Sequence, residues 1–363
     1  MEAQKKRRLN VVKLGWFGER FSGLAKPLTQ SVFAIVIGLA IGALLLVVWG
    51  YDPLDGFGQL FSSAFFTNIG LSSTLSYATT LMLVGITFGL GVRAGLFNIG
   101  AEGQLMVGAM TAVAVSTFSL PPLLCLVAGV VFSMLAGALW AFPVAILKVK
   151  KGVHEVVSTI MLNWIAFYLC LYLVLGPLTK PGTHTSVQIP VDSRFPLLFG
   201  TLSSAILIAI LFAVVVYFII WYTKLGCKIR AVGFDQESAH YMGINPGRAM
   251  TIGFLMGGLA SGLAGGAVVM GIPPDYAVFT ELSNITGYGF AGIAVALIGR
   301  NHPLGIIFSS VFFGGLWSGK RAMQIYSGIP LEIVDIVIGV IVISVALPEL
   351  LDIIRRKIKG RSS

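Results

Sequence analysis

A chain of 363 residues that is 56% hydrophobic and only 11% charged, with a mean hydropathy of +0.90, cannot cover its surface with polar groups in water. A soluble domain carries about 25% charged residues. The net charge of +10 does not mark a nucleic-acid binder, because the basic residues sit in short loops and tails between apolar runs. That is the membrane pattern, and no nucleic-acid partner is expected. The runs are continuously apolar over about 17–25 residues and lack the period-two alternation of a barrel. The fold class is therefore all-α: a polytopic helical membrane protein.

In chain order, spans are expected at 30–49, 70–92, 97–118, 121–147, 154–178, 203–223, 249–271, 284–299, 303–319 and 330–348, about ten in all. For the third, eighth and ninth, a broken or re-entrant helix would read the same way. Lys5, Lys6, Arg7 and Arg8 before the first run resemble a signal peptide. The run is long, however, and Gly50-Tyr51-Asp52-Pro53 offers no small-residue cleavage site, so a retained first span is expected. With ten spans and the N-terminus inside, 21 of the 25 Lys and Arg fall on the inner side. This bias places both ends in the cytoplasm. Deleting one span would reverse every later loop, so the even number of spans follows from the same bias. The organisation is a cytoplasmic tail (1–29), a transmembrane domain (30–348) and a basic cytoplasmic tail (349–363).

Two loops exceed a simple turn. The outer one, about 179–202, holds Pro181, Gly182, Pro190 and Pro196 and reads as an irregular cap. The inner one, about 224–248, carries a short helix signal. Asp235 can accept free N–H groups at a helix start, and Glu237 suits the first turn. Gly243 suits the helix end, and Pro246 follows. About two turns of helix are marginal alone and need a partner surface.

Several motifs fail in context. Gly314 to Arg321 nearly matches the phosphate-cradling G-x-x-x-x-G-K-[ST], but Arg321 replaces the magnesium-binding hydroxyl. Gly287-Tyr288-Gly289-Phe290-Ala291-Gly292 matches G-x-G-x-x-G without a preceding strand. If ATP drives this protein, a partner binds it. The glycine pairs 85/89, 91/95, 253/257, 258/262 and 262/266 put small residues on one helix face for close packing. Cys125, Cys170 and Cys227 read as packing residues without disulfide or metal spacing.

Intramembrane polar residues carry more information, because charge in hydrocarbon is costly. Asn98, Glu102 and Gln104 form the densest cluster, and Asn98 and Glu102, four apart, are expected on one helix face. Two readings stay open: part of a solute pathway or gate, or a structural cluster tying one helix to its neighbours. Asn163 and Asn284 are further pathway candidates, with Thr286, Glu332 and Asp335 lesser ones. Glu155 suits the dipole at the start of its span. His154, His184, His240 and His302 fall in loops or span ends on both sides of the membrane. No catalytic and no metal-binding residues are expected.

Gly95-Leu96-Phe97-Asn98-Ile99-Gly100-Ala101-Glu102-Gly103-Gln104 resembles the signature of the permease family shared by ribose, branched-chain amino acid and nucleoside importers of the ATP-binding-cassette (ABC) class. His154 to Asn163 resembles its simple-sugar and nucleoside branch. Ala231 to Ile244 resembles the family's cytoplasmic coupling loop, and Gly287 to Arg300 another family segment. The likeness runs from about residue 30 to 350. It implies a permease carrying nucleosides, with simple sugars second, in the cell (plasma or inner) membrane. It also implies partners: two cytoplasmic ATPases that bind ATP and magnesium, a second permease that is a homologous but different chain, an extracytoplasmic solute-binding protein or lipoprotein, and membrane lipid. No cofactor is expected on this chain. Asp235-Gln236-Glu237-Ser238-Ala239-His240-Tyr241-Met242-Gly243 would be the ATPase-coupling segment. Two rivals remain. An ion-driven carrier needs paired ionisable residues at mid-bilayer or two broken helices aimed at one site, and only Glu102 approaches this. A membrane-embedded enzyme needs convergent reactive groups.

Overall fold

The computed structural model describes residues 35–344, and the chain divides into two compact units, Gly56–Gly328 and a smaller one joining Met1–Asp55 to Ile329–Ser363. The described residues hold thirteen α-helices. They are α1 (Ile35–Val48), α2 (Pro53–Phe66), α3 (Asn68–Arg93), α4 (Ala101–Ser116), α5 (Pro122–Lys151), α6 (Glu155–Leu175) and α7 (Ala205–Tyr222). They continue with α8 (Lys224–Phe234), α9 (Gln236–Tyr241), α10 (Pro246–Gly271), α11 (Tyr288–Ile298), α12 (Pro303–Ser327) and α13, helical from 331 to 344. Five of them, α3, α5, α6, α7 and α10, are long and apolar enough to cross a membrane. The chain is a multi-pass helical membrane protein. The tails at 1–29 and 349–363 lie outside the described residues.

In the smaller unit, α1 buries Gly38, Gly42 and Leu46, one residue per turn. A Cβ on Gly38 would stand 2.8 Å from the Ile341 Cα of α13, so the two backbones meet closely.

In the larger unit, α3 and α10 form the interior. α10 packs along α5 and α4, and α3 along α12, α10 and α11. Burial runs opposite to hydropathy. α7 has a mean hydropathy of 2.8 and is only one-third buried, whereas α3, at 1.6, is mostly buried. Such a distribution is stable in lipid, where tails are as apolar as leucine and close association is left to small residues and interhelical hydrogen bonds. Both are present. A Cβ on Gly108 of α4 would lie 2.7 Å from Gly262 Cα of α10, and one on Gly137 of α5 would lie 2.6 Å from the same atom. Ser133 Oγ donates to Gly108 O (2.9 Å), Thr87 Oγ1 to Gly257 O (2.8 Å), and Ser261 Oγ to Thr87 Oγ1 (2.9 Å).

Several helix limits differ from the sequence reading. α2 was not anticipated. Its 14 residues bury only Gly56, Leu60 and Ala64, and at ~1.5 Å per residue it is too short to span. It lies on α12, where the Phe65 ring meets Gly315 and Leu60 meets Gly319. α12 runs on to Ser327, where Gly328 at φ +66 ends it, so Lys320 and Arg321 are helical and the phosphate-loop look-alike is helix. α4 begins at Ala101 instead of 97, because Gly95 at φ +75 reverses the chain after α3. α11 is only 11 residues long and follows an irregular stretch from 272 to 287.

The 179–202 loop contains a short 3-10 turn (Val191–Ser193) and an antiparallel pair, β1 (Leu197–Phe199) with β2 (Leu202–Ser203). It is tied to the irregular stretch before α11. Thr185 bridges Phe279, Ser186 Oγ accepts from Val278 N (2.9 Å), and the Arg194 guanidinium lies 3.9 Å from the Tyr276 ring centroid.

Candidate functional site

Two places concentrate polar chemistry: the α8–α9 loop, and the junction where α4, α6 and α11 meet.

The loop is built from caps. Thr223 Oγ1 accepts from Gly226 N (3.2 Å) and starts α8. Asp235, extended at φ −158°, ends α8 and starts α9. Its Oδ1 accepts from Glu237 N (3.2 Å), and its Oδ2 from Ser238 N (3.4 Å) and from the Ser238 hydroxyl. The Ser238 hydroxyl, with these amides, holds the Asp235 carboxyl below the usual carboxylate range. Gly243, at φ +78, turns the chain so that Ile244 N donates to Ala239 O (3.0 Å). Asn245 Oδ1 then accepts from Arg248 N (3.0 Å) and opens α10. A six-residue helix is thus fixed at both ends by its own sequence. Of the stretch Asp235 to Gly243, only Ala239 is buried. Phe234 is 96% exposed and Tyr241 89%, and Met242 is exposed beside them. Aromatic residues bared on a polar loop mark a contact surface. Phe234 was missed in the sequence because it precedes the cap residue that defines α9.

At the junction, the structure brings Asn98, Glu102, Gln104 and Asn163 together. Asn98 does not share a helix face with Glu102; it sits in the turn before α4. Its Oδ1 accepts from Gly100 N (2.9 Å) and Gln104 Nε2 (3.4 Å), while Asn98 Nδ2 and Gln104 Oε1 are buried without a partner among the described residues. Asn163 of α6 grips the same turn from both sides, donating to Ile99 O (3.0 Å) and accepting from Gly103 N (2.9 Å). Asn284 lies apart. It holds the irregular stretch before α11, accepting from Phe279 N (3.1 Å) and donating to Ala277 O (2.8 Å). Nearby, Glu155 pairs with Lys148 (2.7 Å) and accepts from Phe97 N (3.5 Å), joining the start of α6 to the end of α5 and to the turn before α4.

Glu102 has the most consequential contacts. Its two carboxylate oxygens accept the backbone N–H groups of Gly287 and Gly289. α11 needs this, because its N-cap is Gly287, at φ +88, with no side chain to close the helix. Unpaired N–H groups at membrane depth cost several kcal/mol. The carboxylate also stands in the first turn of its own helix. One carboxyl group therefore serves the starts of two helices. Sequence reading missed the two donors; the Gly287-x-Gly289 pair was their trace, read there as a failed dinucleotide motif and as the start of a segment resembling the family.

These features belong to a transport permease. Residues 70–346 match the family model described as branched-chain amino acid transport system / permease component. The chain belongs to this family. It is similar to the guanosine ABC transporter permease protein NupP of Bacillus subtilis, at 36% identity over 95% of this chain and 99% of that protein. It is 32% identical to the glucose ABC transporter permease protein TsgB13 of Haloferax volcanii, over 86% of this chain and 85% of that one. A second Bacillus subtilis protein, the guanosine ABC transporter permease protein NupQ, is 32% identical over 68% of this chain and 80% of its own length. The chain is thus an ABC transporter permease, similar to two guanosine ABC transporter permease proteins of one organism.

Proposed function

We propose that this chain is the nucleoside permease of an ABC importer, working with a second, different permease chain. The observation that carries the mechanism is the capped helix α9 with Phe234, Tyr241 and Met242 exposed around it. In this reading both chain ends and α8–α9 face the cytoplasm, and α9 seats in a groove of an ATPase subunit. That subunit binds and hydrolyses magnesium–ATP, and its closure pushes α9 and, through α8 and α10, rocks the membrane helices. A solute-binding protein or lipoprotein delivers the solute at the opposite face, at the 179–202 loop.

The junction supports a neutral solute. The positive ends of α4 and α11 are already met by the carboxylate of Glu102, so they are not left to attract an anion. Asn98, Glu102, Gln104 and Asn163 act here as the clasp of a gate, holding the short helices α4 and α11 and the start of α6 together, and Asn284 shapes the stretch leading into it. Guanosine as the relative's solute favours nucleosides; simple sugars are the second choice.

The test is uptake of labelled guanosine by cells expressing this chain with its natural neighbours, competed by nucleosides, ribose and leucine. Competition by nucleosides, with uptake lost on ATP depletion and kept when ion gradients collapse, is the expected result. Competition by ribose alone would move the solute to sugars, and uptake following an ion gradient would overturn the mechanism.

A further inference from the structure

Beside the Glu102 clasp stands a group of aromatic side chains that the gate does not use. Tyr77 of α3 meets Trp317 of α12 edge-on, with ring centroids 5.9 Å apart. Tyr288, the first residue of α11, lies 4.9 Å from Trp317. Gly287 adjoins the same indole, since a Cβ there would be 3.9 Å from Trp317 Cη2.

The depth of the group follows from helix geometry. α3 and α12 pack together, Gly314 lying against Thr74 and Ala78, and Ser318 Oγ donating to Gly70 O. From Asn68 to Tyr77, and from Trp317 to Ser327, the rise is ~14–15 Å. α3, long and apolar enough to span, is ~39 Å in length, so a hydrocarbon layer ~30 Å thick placed anywhere along it encloses Tyr77 and the rings beside it.

At that depth, polar groups need partners. Tyr288 is buried, at 4% exposed, and Tyr77 and Trp317 are half-buried. Yet Tyr77 Oη, Tyr288 Oη and Trp317 Nε1 have no hydrogen-bond partner among the described residues. A polar group left without a partner at membrane depth costs several kcal/mol. Packing alone would be served as well by phenylalanine. Irregular backbone at membrane depth, as in the stretch leading to Gly287, is tolerated where it is buried or lines a water-filled cavity.

We propose that Tyr77, Tyr288 and Trp317 form a mid-membrane station on the solute path that receives the flat heteroaromatic base of a nucleoside. This rests on the nucleoside reading above and deepens it. A base offers a π-face for the Trp317 ring, with the Tyr77 ring edge-on beside it, a stacking contact open to any base and stronger for a larger one. Its ring nitrogens and carbonyls accept from the phenol and indole donors. A stacking contact of this kind is weak enough to release its solute, as conduction requires. The station adjoins the Glu102 clasp through the Tyr288 backbone, so movement of α11 would change both together.

The test uses the complete transporter in cells. Trp317→Ala is expected to lower guanosine uptake about tenfold, and to lower it about threefold more than uridine uptake, because a purine stacks over more area. Trp317→Phe, which keeps a ring, is expected to restore most of the rate. ATP hydrolysis stimulated by the binding protein and the amount of chain in the membrane should stay unchanged. Tyr77→Ala and Tyr77→Phe carry the same comparison should Trp317→Ala fail to reach the membrane. Wild-type guanosine uptake by Trp317→Ala and Tyr77→Ala, or an equal loss for every solute, would overturn the station while leaving the nucleoside reading intact. A wild-type transporter that carries no nucleoside would overturn that reading, and the station with it.

Discussion

Glu102 caps a helix to which it does not belong: Gly287, the N-cap of α11, donates its backbone N–H to the Glu102 carboxylate on α4. Gly289 donates to the other oxygen. This contact joins segments 185 residues apart and ties two short helices together at one carboxyl group.

Glu102→Gln turns one acceptor into a donor facing an N–H. The expected loss is about 2 kcal/mol, the worth of a buried hydrogen bond to a charged group, seen as a lower midpoint of thermal unfolding in detergent. Lost stability with unchanged guanosine uptake would assign Glu102 to structure alone. Lost uptake at normal membrane levels would assign it to the gate.

Gly289→Ala places a methyl 2.8 Å from Glu102 N and 2.7 Å from its Cβ. A shift of α11 away from α4 must follow, with a cost of about 1–3 kcal/mol for overpacking. Gly58→Ala is the control, since its Cβ meets nothing within 4 Å; there a gain of about 0.4–1 kcal/mol is expected. Equal behaviour of the two variants would remove the close approach as a cause.

Phe234→Ala and Tyr241→Ala delete exposed rings and disturb no packing within the chain. Normal membrane insertion is expected, with loss of ATPase co-purification and a drop in uptake of about tenfold or more, as for hot-spot anchors. Retained co-purification with both changes would place the ATPase contact elsewhere.

Asp235→Asn keeps the shape of the cap but not its charge. The folded carboxyl lies below its ordinary value, so its stabilising contribution is present in full at neutral pH. It fades only as pH falls below about 3.9 and through the lower folded value. Between pH 6 and 8, hydrogen exchange in the 235–243 peptide, corrected for intrinsic rate, should therefore be flat in the wild type and faster in the variant. A protection step within that range would point to another titrating group.

Most of the membrane architecture was legible along the chain. Continuous apolar runs forecast the long helices α3, α5, α6, α7 and α10, because a span must satisfy its backbone internally and expose apolar side chains. The α9 caps were equally legible: Asp235 and Gly243 act on residues within five positions of themselves, so local sequence suffices. The glycine pairs announced close packing without naming the partners. Only the fold showed that Gly108 and Gly137 both rest on Gly262.

Sequence by itself determined that the chain spans a membrane as helices, where its short loop helix lies, and that a polar cluster surrounds Glu102. Tertiary structure decided what that cluster grips, that α2 lies on α12, and that Tyr77, Tyr288 and Trp317 meet. The division has a physical basis. Helix length, caps and transfer into lipid depend on near neighbours and composition, which a sequence displays directly. A carboxylate reaching the start of another helix, or three rings converging from three helices, depends on how the helices cross, and no local pattern encodes that.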